Sequence, residues 1–429
     1  EFTELFVQFV RLAREMGLLA ESQGARLLYG ACPPGEERPY QAVSEALQSA
    51  IPMLVNPAQD TLRLAALAVL LPALHQHLSL PNLPPLVPER EQLRLFDAVA
   101  TSLEKLAAPH PLFIIFEDLH WAGLSTLALI EFLARRAAHT PLLLVVTYRD
   151  EEVQRTHPLR ALLRRLQSEK LVHPLALRRL DAHAVRALAE DAQLPDAAEM
   201  AQRLHATSEG NPLFLRLLVQ YCQENGSLAD GELPRDVWAA VSQRLARLSS
   251  LGRAYAEVAA VLGLTFDAEA AREIGGWDEC QALDALSELL DQRLSHDVEQ
   301  GNDYIFAHHL VQATLYQEIP AAKRRQRHRR AAEVLEDLYP ERCGDLAGAL
   351  AKHFDLGGEA QRAIPYYLRE AQQRLALFAD PEALAALDRA LALVDQKAST
   401  TSADAIELLL LREAIYSRRG ERQQQQEDL

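Results

Sequence analysis

The sequence predicts an α/β amino-terminal part built on a parallel sheet, followed by an all-helical remainder interrupted by one hairpin. Three observations carry this. Short, wholly apolar runs alternate with helical patterns up to about residue 150, which is how strands buried on both faces of a helix-covered parallel sheet read. Beyond about residue 180 those runs vanish and Leu, Ala, Arg and Glu recur at helical spacing. The pair Gly301-Asn302, set between 293–298 and 304–307, has turn chemistry and places one hairpin among the helices.

Taken in order, Leu5, Phe6, Phe9, Val10, Leu12 and Ala13 predict a helix over 5–19, and Gly24 punctuates it. Residues 25–31 read as a buried strand, followed by helices over 40–55 and 58–79. The segment Pro81-Asn-Leu-Pro-Pro-Leu-Val-Pro88 then breaks helix by removing donors. A helix over 89–107 leads to a strand over 112–116, a helix over 123–138 with Leu127, Ile130, Leu133 and Ala134 on one face, and an apolar strand over 141–147. Helices are expected at 181–193, 196–207, 212–224, 234–248, 252–263, 267–275 and 279–292; with the hairpin, the later ones resemble a winged-helix unit. After Pro320 short helices at 345–356, 360–378 and 381–394, with Ala347, Ala351, Ala363, Ala371, Ala383 and Ala390 at their contacts, suggest tetratricopeptide-like stacking, though no clean period of about 34 is present.

With 429 residues, 49% hydrophobic, the chain can support two to four cored domains. A net charge of -16 repels phosphate backbones, so nucleic acid is not the default partner. Four dispersed cysteines without a CxxC argue against a disulfide framework and for a reducing, cytoplasmic setting. No run approaches the roughly 18 apolar residues of a membrane helix, and no signal peptide is evident. The chain enters a helical pattern directly from Glu1 and ends on Arg-Gln-Gln-Gln-Gln-Glu-Asp-Leu429, which reads as a piece of something longer.

The strongest chemical signal is Phe113-Ile-Ile-Phe-Glu117-Asp118. Four apolar residues make a strand, and two carboxylates appear where it emerges, the end at which open parallel sheets bind ligands. Carboxylates there can hold Mg²⁺ through water and orient a water on a γ-phosphate; a solvated turn is the bland alternative. Thr147 and Arg149 close the next strand and can touch a phosphate, or simply cap the strand. Gly210-Asn211-Pro212 opens a helix, ordinary chemistry for Pro at a first turn. His308-His309 lacks the Cys, Asp or Glu companions that zinc requires; such a pair is usually structural, but a histidine can donate to a phosphate. The run Lys323-Arg-Arg-Gln-Arg-His-Arg-Arg330 fits either a nucleic-acid patch or, better in an acidic chain, one solvated helix face.

The order of these pieces is more specific than any one of them. Glu117-Asp-Leu-His-Trp121, Thr147-Tyr-Arg149, Glu209-Gly-Asn-Pro212 and Phe306-Ala-His308 together resemble the STAND class of AAA-like regulatory ATPases, in the bacterial branch whose module accompanies LuxR-type DNA-binding domains, nucleotide cyclases or protein kinases. The likeness extends to 39–47, 233–237, 244–248 and 350–354. It implies a P-loop NTPase core over 1–178, a helical lid over 179–228, a winged helix over 229–320 and tetratricopeptide-like repeats over 321–429. The cofactors implied are ATP or ADP with Mg²⁺. Glu117 and Asp118 become the Walker B carboxylates, their division of labour open; Arg149 becomes the γ-phosphate sensor; Pro212 lies against the adenine; His308 reaches the β-phosphate of ADP; Gly210 and Thr147 join the nucleotide-binding set.

Three features depart from the family pattern. No GxxxxGK[ST] phosphate loop exists, and no Gly-Lys pair; since that loop precedes the helix that begins near Thr3, it is expected upstream of Glu1, with a degenerate loop as the rival. Gly123 and His309 stand where Asp is usual. The expected function is a nucleotide-dependent switch that hydrolyses ATP in the full-length protein but not in this chain alone. It would self-associate in the ATP state, sense a protein or small-molecule signal on the repeats, and meet DNA only through a domain outside this chain. The rivals are a non-catalytic helical scaffold and a DNA-binding winged helix.

Overall fold

The computed structural model describes residues 8–34, 38–55, 60–150, 152–225, 241–242, 244–298, 303–395 and 402–428. The turn at 301–302, the segment 233–237, Thr3 and most of the helix expected over 234–248 lie outside them. The chain forms two compact units, one of Ala13–Pro174 with Tyr339–Leu429, the other of Leu175–Leu338 with the described residues up to Leu12.

The first unit holds a three-stranded parallel sheet in the order β1-β2-β3: β1 is Arg26–Ala31, β2 Leu112–Glu117 and β3 Leu142–Val146. The register sets Gly30 beside Phe116 and Phe116 beside Val146. All six residues of central β2 are buried, which is why its sequence is continuously apolar rather than alternating. Leu112, Ile114 and Phe116 join a core built with helices Gln41–Ser49, Pro88–Ala107 and Leu124–Ala137. On the opposite face Phe113 and Ile115 meet Ala13 and Ala20 of helix Gln8–Ser22, with Leu27, Tyr29 and Val145 beside them. Among the described residues β3 pairs on one side only, and its Leu143 is 53% exposed.

Two predicted helices are interrupted. The one over 40–55 divides at Ala50 into Gln41–Ser49 and Ile51–Leu54, with Pro52 in the first turn of the second. The one over 58–79 becomes Thr61–Leu67, capped by the Asp60 side chain, and Leu74–His77, with Pro72 between them. Carboxy-terminal helices Ala347–Gly357, Ala360–Ala376, Asp380–Asp395 and Ser402–Arg419 stack in succession. The alanines at 347, 351, 363, 371, 383 and 390 are all buried, as small residues at close helix contacts require. Ala379, ahead of the third of these helices, is fully buried in the core that contains the sheet.

The second unit has its own core from Val185 to Leu315. Helices Ala182–Asp191, Ala197–Ser208 and Pro212–Asn225 precede helix Ser250–Leu262, strand β4 (Thr265–Asp267), helices Ala268–Gly275 and Glu279–Asp291, and strands β5 (Ser295–Asp297) and β6 (Asp303–Phe306). The last three strands form an antiparallel sheet in the order β4-β6-β5. β4 escaped the sequence reading because three residues show no period. Helix Ala321–Leu338, which carries the basic run, packs on Ser250–Leu262 and Ala268–Gly275. Glu257 receives both Lys323 at 2.8 Å and Arg327 at 2.9 Å, so part of that charge is spent inside the unit. No described helix is long and apolar enough to cross a membrane.

Candidate functional site

Side chains alternate along a strand, so Glu117 points to the face of Phe113 and Ile115, toward helix Gln8–Ser22. There Arg14 Nε donates to its Oε1 at 3.3 Å, and the Tyr29 hydroxyl donates to Oε2. Arg14 also reaches the Tyr29 oxygen at 2.6 Å and lies 4.4 Å over its ring. Burial raises the Glu117 carboxyl above the usual range, with Tyr29 and Arg14 opposing the rise. Burial, then the charge of Glu117, raises the Tyr29 phenol as well.

Asp118 leaves the strand in the left-handed region, φ 52° and ψ 43°. Thr147 holds it there. The Asp118 N–H donates to Thr147 Oγ1 at 3.1 Å, the Thr147 N–H donates to Phe116 O at 3.0 Å, and the Leu119 N–H donates to Thr147 O at 2.9 Å. The chain is thereby turned so that the two consecutive carboxylates diverge, Glu117 inward and Asp118 toward solvent: their side chains are 6% and 36% exposed. Burial raises the Asp118 carboxyl, Arg149 opposes this, and Glu152 adds to it. Just past the end of β1 the Cys32 thiol is pushed up to about 12, first by burial and then by Asp118 and Glu45.

A short turn, Leu119–Trp121, carries buried His120 between two acids: its Nδ1 lies 3.9 Å from Asp118 and its Nε2 3.3 Å from Glu152. Arg149 pairs with the same Glu152 at 3.1 Å. The backbone of His120 is fixed too. His157 Nδ1 accepts the Leu159 N–H at helix Pro158–Ser168, so its Nε2 is the donor 3.1 Å from His120 O. Glu117, Asp118, Thr147 and Arg149 thus lie on one strand-end level of the first unit.

The other anticipated residues lie in the second unit. Glu209 and Gly210 are both left-handed, φ 50° and 74°, and a Cβ on Gly210 would run into the Leu180 carbonyl, so glycine is required there. Asn211 Oδ1 accepts the Phe214 N–H, and Pro212 is the first residue of its helix. His308 caps helix His309–Glu318 by accepting the Leu310 N–H on Nδ1 at 2.9 Å, which assigns its proton to Nε2. Its ring lies against that of His309, centroids 4.2 Å apart.

Sequence reasoning missed Arg14, Tyr29 and Glu152. None has a local motif; the only hint was the two-residue alternation that puts Tyr29 on the Glu117 face of the sheet. Among the described residues no group of three or more His, Cys, Asp or Glu could hold a metal. Of the two carboxylates only that of Asp118 faces solvent, and the described residues include no phosphate-cradling loop.

The acids lie at the carboxyl end of the central strand, with a polar residue and an arginine at the end of the next, which is the end at which open parallel sheets bind ligands. Residues 11–146 match the AAA ATPase domain family model. A relative in Rhizobium meliloti (strain 1021), an uncharacterized protein, is 29% identical over 330 residues, 73% of this chain but 31% of that protein; the chain thus spans about a third of that relative's length. The solved structure of a Signal Transduction ATPase with Numerous Domains protein with a tetratricopeptide repeat sensor, from Pyrococcus horikoshii, aligns over 95% of this chain and 67% of its own at 12% identity, with a TM-score of 0.45.

Proposed function

We propose that this chain belongs to a STAND-type nucleotide switch that binds ADP or ATP with Mg²⁺ in the cytoplasm and controls an attached output domain, transcription among the outputs. The AAA ATPase match over 11–146 carries this reading, because it ends where β3 delivers Thr147 and Arg149 beside the Glu117–Asp118 strand end. Bound Mg²⁺ would supply charge neutralisation at the phosphates. Asp118, solvent-accessible and beside Arg149, is assigned to face nucleotide; Glu117, held by Arg14 and Tyr29, is assigned to set the local field. Gly210, Pro212 and His308 keep the nucleotide-contact roles that the family likeness implies, and Ser250–Phe306 is read as a winged helix from its helix-strand-helix-helix-hairpin order. Among the described residues β3 pairs on one side only and its Leu143 is half-exposed, which leaves its other edge open to a further strand.

The test uses the full-length protein. Calorimetry should detect ADP and ATP binding, and Glu117→Gln with Asp118→Asn should hold ATP while turnover falls by two orders of magnitude or more, on the scale of losing one positioned catalytic group. Binding of neither nucleotide sinks the switch. The missing Gly-Lys favours a second reading, a scaffold with a degenerate nucleotide fold; tight nucleotide binding by the full-length protein excludes it.

A further inference from the structure

Helix Leu124–Ala137 follows the acidic strand end by six residues, yet its N-cap is Gly123, which offers no side chain to the first-turn amides. The missing cap comes from 257 residues away. Glu382, in the first turn of helix Asp380–Asp395 and 4% exposed, accepts the Ser125 N–H on Oε1 at 2.9 Å and the Ser125 hydroxyl on Oε2 at 2.6 Å. A carboxylate at a helix N-terminus satisfies orphan donors and complements the dipole. Here it belongs to the carboxy-terminal helices rather than to the chain next to the cap.

The surroundings fit that contact. A Cβ at position 123 would lie 2.5 Å from Glu382 Oε1, so glycine is what leaves room for the visiting carboxylate. Arg374 Nη1 donates to Glu382 O at 2.7 Å and steadies that helix start. A second anchor lies just upstream: Gln92 Nε2, on helix Pro88–Ala107, donates to Phe378 O at 2.9 Å, where Phe378 is left-handed at φ 57° and Ala379 is fully buried in the core.

We propose that Glu382 is a positioning residue, a latch by which the carboxy-terminal helices hold the start of helix Leu124–Ala137 and, through it, the turn that carries Asp118 and His120. The turn Leu119–Trp121 has Asp118 at one end and Gly123 two residues beyond the other. Movement of the carboxy-terminal helices is thereby transmitted to the strand end through one hydrogen-bonded carboxylate. This does not depend on which ligand occupies the strand end.

The experiment is amide hydrogen exchange on the whole chain without nucleotide. Glu382→Ala should accelerate exchange over both 119–126 and 377–384 by about 5- to 30-fold, the span that loss of a cap corresponds to. Glu382→Gln, able to accept from the Ser125 N–H and donate to its hydroxyl, should stay near the parent rate. Gly123→Asp in the Glu382→Ala background should restore protection at 124–126 by capping locally while 377–384 stays fast. If Glu382→Ala proves too unstable, Gly123→Ala opposes the same contact without touching Glu382 and should accelerate both segments. Acceleration confined to 377–384 overturns the proposal, as does a Glu382→Gln variant that exchanges as fast as Glu382→Ala.

Discussion

Replacing Thr147 by Val tests whether the threonine hydroxyl holds Asp118 in place. The two side chains are nearly isosteric, and the backbone bonds of residue 147 to Phe116 and Leu119 do not involve the hydroxyl. What is lost is the 3.1 Å acceptor for the Asp118 N–H. A buried donor left without its partner costs about 1–3 kcal/mol. Residue 118 is half-buried, which places the loss near the low end, about 1 kcal/mol. The left-handed backbone of a non-glycine residue, itself costing about 1–2 kcal/mol, then has one fewer restraint. For a unit of this size about 1 kcal/mol lowers Tm by roughly 2–4 °C. Exchange of the Asp118 and Leu119 amides should rise about fivefold. Thr147→Ser keeps the acceptor and should leave those amides at the parent rate. Equal exchange in the Val and Ser variants would refute the clamp.

Two further outcomes follow from the same geometry. Burial raises the Asp118 carboxyl in the folded chain, so its favourable contribution is complete below the unfolded carboxylate range and is lost as pH rises through the raised folded value; Asp118→Asn, neutral and tolerant of a left-handed backbone, should therefore raise Tm at neutral pH by an increment that shrinks on acidification, and a pH-independent increment in thermal scans would contradict this. Gly30→Ala places a Cβ against the carbonyl of Ala42, a backbone atom of helix Gln41–Ser49 that cannot rotate away, so about 1–3 kcal/mol of stability should be lost; denaturant unfolding at parental stability would show that strand and helix approach less closely.

The central strand was legible because burial on both faces removes the alternation that partial exposure imposes, leaving Phe113-Ile-Ile-Phe as an uninterrupted apolar run. The two acids following it were legible as the end of the apolar run, although burial runs on through Glu117 and ends only at Asp118. That they diverge was not legible. The divergence depends on φ at Asp118 and on a hydroxyl one strand away, and neither is a property of the Glu-Asp pair. Pro52 and Pro72 mark the breaks in the two interrupted helices, although the apolar spacing runs through both without a gap.

Gly123 shows the limit most sharply. In the sequence it is a helix start without its capping residue, and taken locally it predicts a weak helix. The structure supplies the missing carboxylate from Glu382, across a separation at which no period, spacing or motif operates. The glycine is therefore half of a two-part device rather than a defect, since a Cβ there would lie 2.5 Å from Glu382 Oε1 and force the carboxylate to shift. A capping Asp at 123 would give the helix its start without help and sever the hydrogen-bonded link to the carboxy-terminal helices. The price of a local cap would then be the loss of long-range control over the turn that holds Asp118, which is why the departure at position 123 and the burial of Glu382 are best understood as one feature.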